Sequence, residues 1–197
     1  MQQEWSLAKS GGYIINNCHF SRRIPATACM TAEHDLRDAF LQDIIVRLYD
    51  ESLPRILKCL DRLSEEQIWW RPNDSSNSVG NLVLHLCGNV NQWIYSGLGG
   101  HPDTRERQTE FDTREGISKS KLADRLTSAM LRIKPVIQEV TTEELLRIRP
   151  VQTFEASGTS ILVHVTEHFS YHTGQIAYIT KMLMDKSLGF YDGIKLE

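Results

Sequence analysis

The chain has 197 residues, of which 41% are hydrophobic and 24% are charged, and its formal net charge is −3 at pH 7. This length suits one domain with a sizeable core, and the lack of a basic run excludes the electrostatic surface that nucleic-acid binding requires. The sequence has no apolar run of the roughly 20 residues that a membrane span needs and no secretory signal pattern. Its four cysteines are scattered without a CxxC pair, so we expect a cytoplasmic protein with reduced thiols.

The pattern of apolar residues divides the chain into three parts. Residues 1–30 mix glycine, asparagine and proline without a sustained period, which predicts a loosely ordered N-terminal arm. Residues 31–190 are predicted to form one helical domain. Residues 191–197 are predicted to be a tail.

The helical domain opens with apolar residues that recur every three or four positions over residues 31–63, which predicts an amphipathic helix. Pro54 lies inside this run and should kink the helix or divide it in two. The motif SEEQ at residues 64–67 is typical of a capping box and predicts a short helical turn. A second long helix is predicted to begin near residues 76–78 and to end before Gly97.

A charged connection of about 15 residues begins at His101, and a connection of that length is either functional or mobile. The third long helix is predicted from about Ser118 to Val140, and the fourth from about Ile161 to Lys186. Residues 147–158 between them are predicted to be irregular or briefly extended. Four long amphipathic helices with few strand signals predict an all-α fold, a four-helix bundle.

The fourth predicted helix carries the sequence HVTEHFSYHTGQ, in which His164, His168 and His172 follow one another at i, i+4 spacing. This pattern is compatible with a metal site, a pH switch or ordinary packing. An α-helix rises about 1.5 Å per residue, so adjacent histidines of the series lie about 6 Å apart and the outer two about 12 Å apart. Because metal–nitrogen bonds are about 2.0–2.1 Å long, only one adjacent pair can bind the same ion.

The helical wheel favours His168 and His172 as that pair. The apolar stripe of this helix is set by five residues: Ile161, Val165, Ile176, Ile179 and Leu183. His172 projects toward the centre of the stripe, His168 toward its edge, and His164 lies further round. We therefore expect the pair to face the bundle interior and His164 to be a neighbour of the site or partly exposed.

His85 is the candidate for a third ligand, because it lies in the middle of the second predicted helix, in NLVLHLCGNVNQW, at the border of the apolar stripe. The alternative is a solvated histidine at the helix edge. Asn89, one turn beyond His85, is a candidate to line a pocket. Gln175 on the fourth helix is a candidate to orient a ligand or the neighbouring backbone. Surface positions are predicted for the remaining histidines: His19, His34 and His101.

These motifs resemble those of the DinB/YfiT-like family. The sequence HVTEHFSYHTGQIAYITKML is similar to the last helix of that family, in which HxxxH is followed by Gly-Gln. The sequence SVGNLVLHLCGNVNQWI resembles its helix with a single histidine upstream of a tryptophan, here His85 and Trp93. The segment LDRLSEEQIWWRPNDSSNSVGNLVLHL is similar to a branch of unknown function, and the resemblance extends over about residues 33–190.

The resemblance implies an up-down four-helix bundle with a long crossover connection, often dimeric. It also implies a divalent metal bound by three histidines, here His85, His168 and His172. Zinc is the expected metal, and nickel, iron or manganese are alternatives because imidazole binds them too. The family commonly has an arginine after the last histidine, where this chain has Thr173, so a charge-dependent substrate contact at that position is in doubt.

A three-histidine site that leaves a coordination position open is typical of catalytic metals. Such a metal can deprotonate a bound water or thiol, and proteins similar to this family include transferases that use bacterial low-molecular-weight thiols such as bacillithiol or mycothiol. The leading hypothesis is a thiol S-transferase that acts on a small electrophile. The alternatives are a metal-dependent hydrolase and a non-catalytic, stress-related binding module with a structural metal. Catalytic residues stay unassigned, and we expect a small-molecule substrate, a homodimer and no nucleic-acid or membrane partner.

Overall fold

The structure, a computed structural model, describes residues 26–195, with side chains from residue 33 onward. The predicted arm, residues 1–30, therefore lies outside the described residues except for its last part, where helix α1 already begins at Ala26. The helices are α1 Ala26–Ile45, α2 Leu53–Arg62, α3 Glu65–Trp69, α4 Val79–Val90, α5 Arg107–Asp112, α6 Lys119–Glu139, α7 Thr142–Leu146 and α8 Gly158–Met184. The strands are β1 Ile148–Val151 and β2 Phe154–Ser157, and two π-helical segments span Val46–Ser52 and Asn91–Leu98.

Four long helical rods build the fold. The first rod is α1, the π-helical segment Val46–Ser52 and α2; the second is α4 with the segment Asn91–Leu98; the third is α6; the fourth is α8. The first rod packs against the third and fourth, and so does the second, which places the first and second at opposite corners. The predicted all-α helical bundle is confirmed, whereas the up-down order of its helices stays a prediction. None of the described helices is both long and apolar enough to cross a membrane.

Pro54 neither ends nor divides the first rod, which is helical from Ala26 to Arg62. A proline inside a helix lacks an N–H donor, and its ring collides with the carbonyl four residues earlier. The π-helical segment Val46–Ser52 ends just before Pro54. The wider turns of a π-helix directly before the proline are compatible with an unbroken rod.

Short polar side chains begin the other rods. Ser78 caps α4 in a reciprocal capping box with Asn81, and Ser118 and Ser157 cap α6 and α8. The predicted capping box of residues 64–67 is also present, at the start of α3. These caps satisfy backbone N–H groups that a helix start leaves unpaired.

The second rod continues past its predicted end and reaches Leu98. Gly97 permits close packing there, since a Cβ at this position would lie 2.7 Å from Cγ2 of Val151 in strand β1. The prediction that this helix ends before Gly97 is therefore wrong. The segment 147–158 forms an antiparallel hairpin, with Ile148 paired to Ser157, and this agrees with the briefly extended alternative.

The core fills the space between the rods with aliphatic side chains. Its largest fully buried members are Phe169, Leu48, Ile56, Leu60, Leu63, Ile68, Leu86, Ile94, Leu122, Leu126, Met130 and Ile133. At the start of the second rod the packing is close enough to require a glycine. A Cβ on Gly80 would lie 2.7 Å from Cζ3 of Trp69, whose indole N–H donates to the carbonyl of Ile117 at 3.1 Å.

Gly80→Ala is expected to lower the free energy of unfolding by about 1–3 kcal/mol, because the indole ring is tethered and the added methyl overpacks the contact. The matched control is Gly174→Ala in α8, where an added Cβ meets nothing within 4 Å and helix propensity should raise stability by about 0.5–1 kcal/mol. Urea unfolding of the two variants measures both effects. Equal stability of Gly80→Ala and the wild type would contradict the packing described.

Candidate metal centre

Three histidines converge between the second and fourth rods. His85 comes from α4, and His168 and His172 come from α8. One ring nitrogen of each lies within 4.8 Å of the other two, and Nε2 of His85 is 2.9 Å from Nε2 of His168. The structure thus brings together the three histidines that the sequence pointed to. That they bind a metal ion stays a prediction.

The burial of the α8 histidines follows the helical wheel. His172 is buried, and His168 and His164 are partly buried. His164 lies outside the group of three nitrogens. Its ring packs against the indole of Trp93, tilted by 37° with 4.1 Å between centroids. Since His85 meets His172 while Trp93, further along the second rod, meets His164, the two rods run antiparallel at the site.

Behind His85 lies a carboxylate that sequence reasoning missed. Oε2 of Glu110 is 2.9 Å from Nδ1 of His85, and Oε1 of Glu110 accepts a hydrogen bond from Nε of Arg105 at 2.7 Å. Both residues belong to the connection between the second and third rods, Glu110 within the short helix α5. In the sequence, only the length and charge of that connection indicated a functional role, and they did not identify Glu110 or Arg105.

The contact with Glu110 determines which ring nitrogen of His85 carries the hydrogen and which one presents a lone pair to the other histidines. A carboxylate accepts hydrogen bonds and does not donate them. Burial alone would raise the pKa of the Glu110 carboxyl, but hydrogen bonds from Arg105 and His85 outweigh it and hold the pKa below its usual value. A neutral His85 therefore carries its hydrogen on Nδ1, and its Nε2 lone pair is directed toward His168.

His172 has a partner of its own on the next turn of α8. Its Nδ1 donates to Oε1 of Gln175 at 2.7 Å, which leaves Nε2 as the free nitrogen of the neutral ring. Gln175 is thus placed as the sequence indicated, beside a ligand candidate. Thr173 is buried, and its hydroxyl donates to the carbonyl of Phe169 at 2.8 Å, so the residue that replaces the family's arginine is engaged with its own helix.

In the metal-free cluster, the surroundings of His168 and His172 favour the neutral imidazole. Burial, followed by the proximity of His172 and His85, lowers the pKa of His168 to about 3. Burial also lowers the pKa of His172 and of His164. Neutral imidazole is the form that binds a metal ion, so His168 and His172 have no proton to lose at neutral pH before they could bind one.

The donor set fits a divalent metal ion with an open coordination position. Among the described residues, no fourth His, Cys, Asp or Glu joins the group of three. A cavity of about 210 Å³ lies beside it, lined by His164, Glu167, His168 and Tyr171. Asn89, one turn beyond His85 and buried, has a side-chain oxygen without a hydrogen-bond partner in the described part of the chain. A buried acceptor of this kind fits a site whose bound ligand supplies the missing hydrogen.

The fold defines the chain as a DinB-like helical bundle. A DinB-like protein from Bacillus subtilis aligns with a TM-score of 0.56 and 13% identity, over 76% of this chain and 94% of that one. A DinB-like protein from Bacillus cereus aligns with a TM-score of 0.58 and 19% identity, over 74% and 91% of the two chains. A conserved protein from Enterococcus faecalis aligns with a TM-score of 0.60 and 16% identity, over 77% and 97%.

Within that class the chain belongs to the family described as protein of unknown function (DUF1572), which matches residues 35–190. No curated protein matches the chain. The resemblance to the DinB/YfiT-like family is therefore confirmed, and its fold with it.

Single substitutions should separate ligands from neighbours. His85→Ala and His168→Ala are each expected to abolish stoichiometric metal binding, because each removes one of only three nitrogen donors. His164→Ala should retain most of the metal, since His164 lies outside the group of three nitrogens. Elemental analysis of the purified variants measures this, and full metal occupancy in His85→Ala would contradict a site shared between α4 and α8.

Acid should destabilise the metal-free protein. The folded pKa of His168 is about 3 against an ordinary value of 6.5, so the unfolded chain binds more protons between these values and stability falls as the pH drops through this window. Thermal unfolding in the presence of a chelator, from about pH 7 to about pH 5, should show a falling Tm. His168→Asn removes the titrating ring and should reduce this fall; an unchanged fall in the variant would contradict the assignment.

Proposed function

We propose that this protein is a metal-dependent enzyme in which His85, His168 and His172 hold a divalent ion that activates a low-molecular-weight thiol, or water, for attack on a small electrophile. The observation that carries the proposal is the convergence of three histidine nitrogens from two rods, with no fourth histidine, cysteine or carboxylate ligand among the described residues. Structural zinc sites usually have four protein ligands, and catalytic ones three. Zinc is the first choice, with nickel, iron and manganese as alternatives.

A divalent ion bound by three neutral imidazoles would keep its full positive charge and would lower the pKa of a bound thiol or water toward neutrality. Residues around the ion would orient its histidine ligands and the bound molecule. Glu110 and Gln175 orient the rings of His85 and His172 through their Nδ1 atoms. The unpaired oxygen of Asn89 would accept a hydrogen bond from the bound ligand.

The cysteines in the described part of the chain would not supply the thiol, which favours a small molecule as its source. Burial raises the pKa of the Cys87 thiol to about 12 and also raises that of Cys59. Both described cysteines therefore stay protonated at neutral pH, and neither belongs to the histidine group. With a substrate such as an aryl chloride, the sulfur would form a bond to the ring carbon, chloride would leave with the bonding electron pair, and the thiol proton would pass to solvent.

The cavity favours an enzyme over a protein with a purely structural metal. A closed structural site buries all its ligands, whereas His168 is only partly buried and lines a cavity of about 210 Å³. Activation of water, and so a metal-dependent hydrolase, is the second candidate, because the same open position can take a water molecule. A non-catalytic module with a structural metal would need a donor that closes the site.

The zinc-loaded protein is expected to conjugate a bacterial thiol to an aryl chloride, measured by product absorbance and mass spectrometry over a panel of thiols. His172→Ala should lower the rate by roughly 100-fold or more, because several kcal/mol of metal activation are lost. The control is His101→Ala, since His101 stacks on Tyr95 in an exposed loop and should leave the rate unchanged.

The outcomes distinguish the candidates. Thiol-independent ester hydrolysis that needs zinc and His172 would select the hydrolase. A metal-free His172→Ala variant that conjugates thiols as fast as the wild type would contradict both metal-dependent candidates, the thiol transferase and the hydrolase.

A further inference from the structure

The connection between the second and third rods sends two charged side chains into the protein behind His85. The side chains of Arg105 and Glu110 are only 3% and 8% exposed, whereas Thr104 and Glu106 beside them are exposed. Charged side chains are seldom buried unless they are paired. The depth of this pair indicates that it serves the group it touches.

Both oxygens of Glu110 are used. Oε1 accepts from Nε of Arg105 at 2.7 Å, and Oε2 accepts from Nη2 of Arg105 at 2.8 Å. This two-point pairing fixes the plane of the carboxylate. Oε2 also lies 2.9 Å from Nδ1 of His85, so the carboxylate fixes the imidazole ring in turn.

Arg105 is held from a second side. Its Nη1 donates to Oε1 of Gln92 at 2.9 Å, and its backbone N–H donates to Oδ1 of Asp103 at 3.0 Å. Gln92 donates to Oδ2 of Asp103 at 2.6 Å and accepts a hydrogen bond from Gln152 in the hairpin turn. Arg105 is therefore anchored directly to the second rod and to its own connection, and through Gln92 to the hairpin.

Gly88 makes room for this arrangement. It lies in α4 close to His85, and a Cβ at this position would overlap Oε1 of Glu110 and lie 2.8 Å from Nε of Arg105. A helix-interior glycine costs about 1 kcal/mol relative to alanine. Here it gives the ion pair direct access to the helix backbone beside the histidine.

We propose that Glu110 and Arg105 are positioning residues of the metal centre: Glu110 holds His85 with Nε2 facing His168 and His172, and Arg105 holds Glu110. Nη2 of Arg105 also approaches Nδ1 of His85, at 3.1 Å, but the carboxylate contact is shorter and requires the hydrogen on Nδ1. The proposal rests on the three-histidine metal site and is independent of the reaction proposed above.

Zinc affinity, measured by competition with a chromophoric chelator, tests the role of Glu110. Glu110→Gln is expected to bind zinc 10–100-fold more weakly than the wild type, the usual cost of losing such a partner. The control is Glu106→Gln, the same charge change at an exposed position of the same connection, and its affinity should stay within about twofold. Equal affinities for Glu110→Gln and the wild type, or equal losses in the two variants, would overturn the proposal.

Nitrogen-15 NMR of the zinc-free protein gives a readout that a general loss of stability would not produce. The wild type should show His85 as the Nδ1–H tautomer, and Glu110→Gln should show a mixture of tautomers. An unchanged tautomer in the folded variant would overturn the proposal.

Gly88→Ala provides a test that leaves every charge in place and applies even if Glu110→Gln does not fold. The added methyl should displace Glu110 and weaken zinc binding, while Gly174→Ala, which meets no neighbouring atom, should not. Unchanged zinc affinity in folded Gly88→Ala would contradict the role given to the pair. If the wild type binds no zinc, the metal site and the proposed function fail together. If the wild type binds zinc and the variants bind it equally well, only the positioning role fails.

Discussion

The contact between Nε2 of His85 and Nε2 of His168, 2.9 Å apart across the interface of the second and fourth rods, is the interaction on which the site depends. Two ring nitrogens at this distance repel each other unless a proton or a cation lies between them. The surrounding packing nevertheless brings them together, and His172 is added to the same group. A shared metal ion would satisfy all three lone pairs at once, which a single shared proton could not do.

The residues around the three histidines orient the imidazole rings and keep the surroundings free of uncompensated charge. Glu110 and Gln175 each engage an Nδ1 atom, so the Nε2 atoms of His85 and His172 are left to face inward. The ring of His164 packs against Trp93 and adds no nitrogen to the group of three. The positive charge of Arg105 is offset by its pairing with Glu110, so the buried surroundings of His85 hold a neutral ion pair, not an uncompensated cation that would repel a metal ion.

The features that could be predicted from the sequence are those that depend on the helical repeat of nearby residues. The spacing of apolar residues predicted the rods, and the helical wheel of α8 predicted that His172 is more buried than His168 and His164, as the structure has it. Both predictions depend only on the helical repeat. Serine caps marked most of the rod starts. The interpretation of Gly97 as a helix end was wrong, since that glycine serves a contact with Val151 that belongs to another part of the chain. Glu110 and Arg105 lie in a connection without a period, so no local pattern relates them to His85.

The most direct test of the three-histidine centre is X-ray absorption spectroscopy of the zinc-loaded protein, before and after a small thiol is added. We expect the zinc ion to have three imidazole nitrogen ligands and one oxygen or nitrogen ligand that the protein does not supply. That fourth ligand should be replaced on addition of the thiol by sulfur at about 2.3 Å. A fourth imidazole, a sulfur ligand before any thiol is added, or a zinc shell that the thiol leaves unchanged would contradict an open catalytic site.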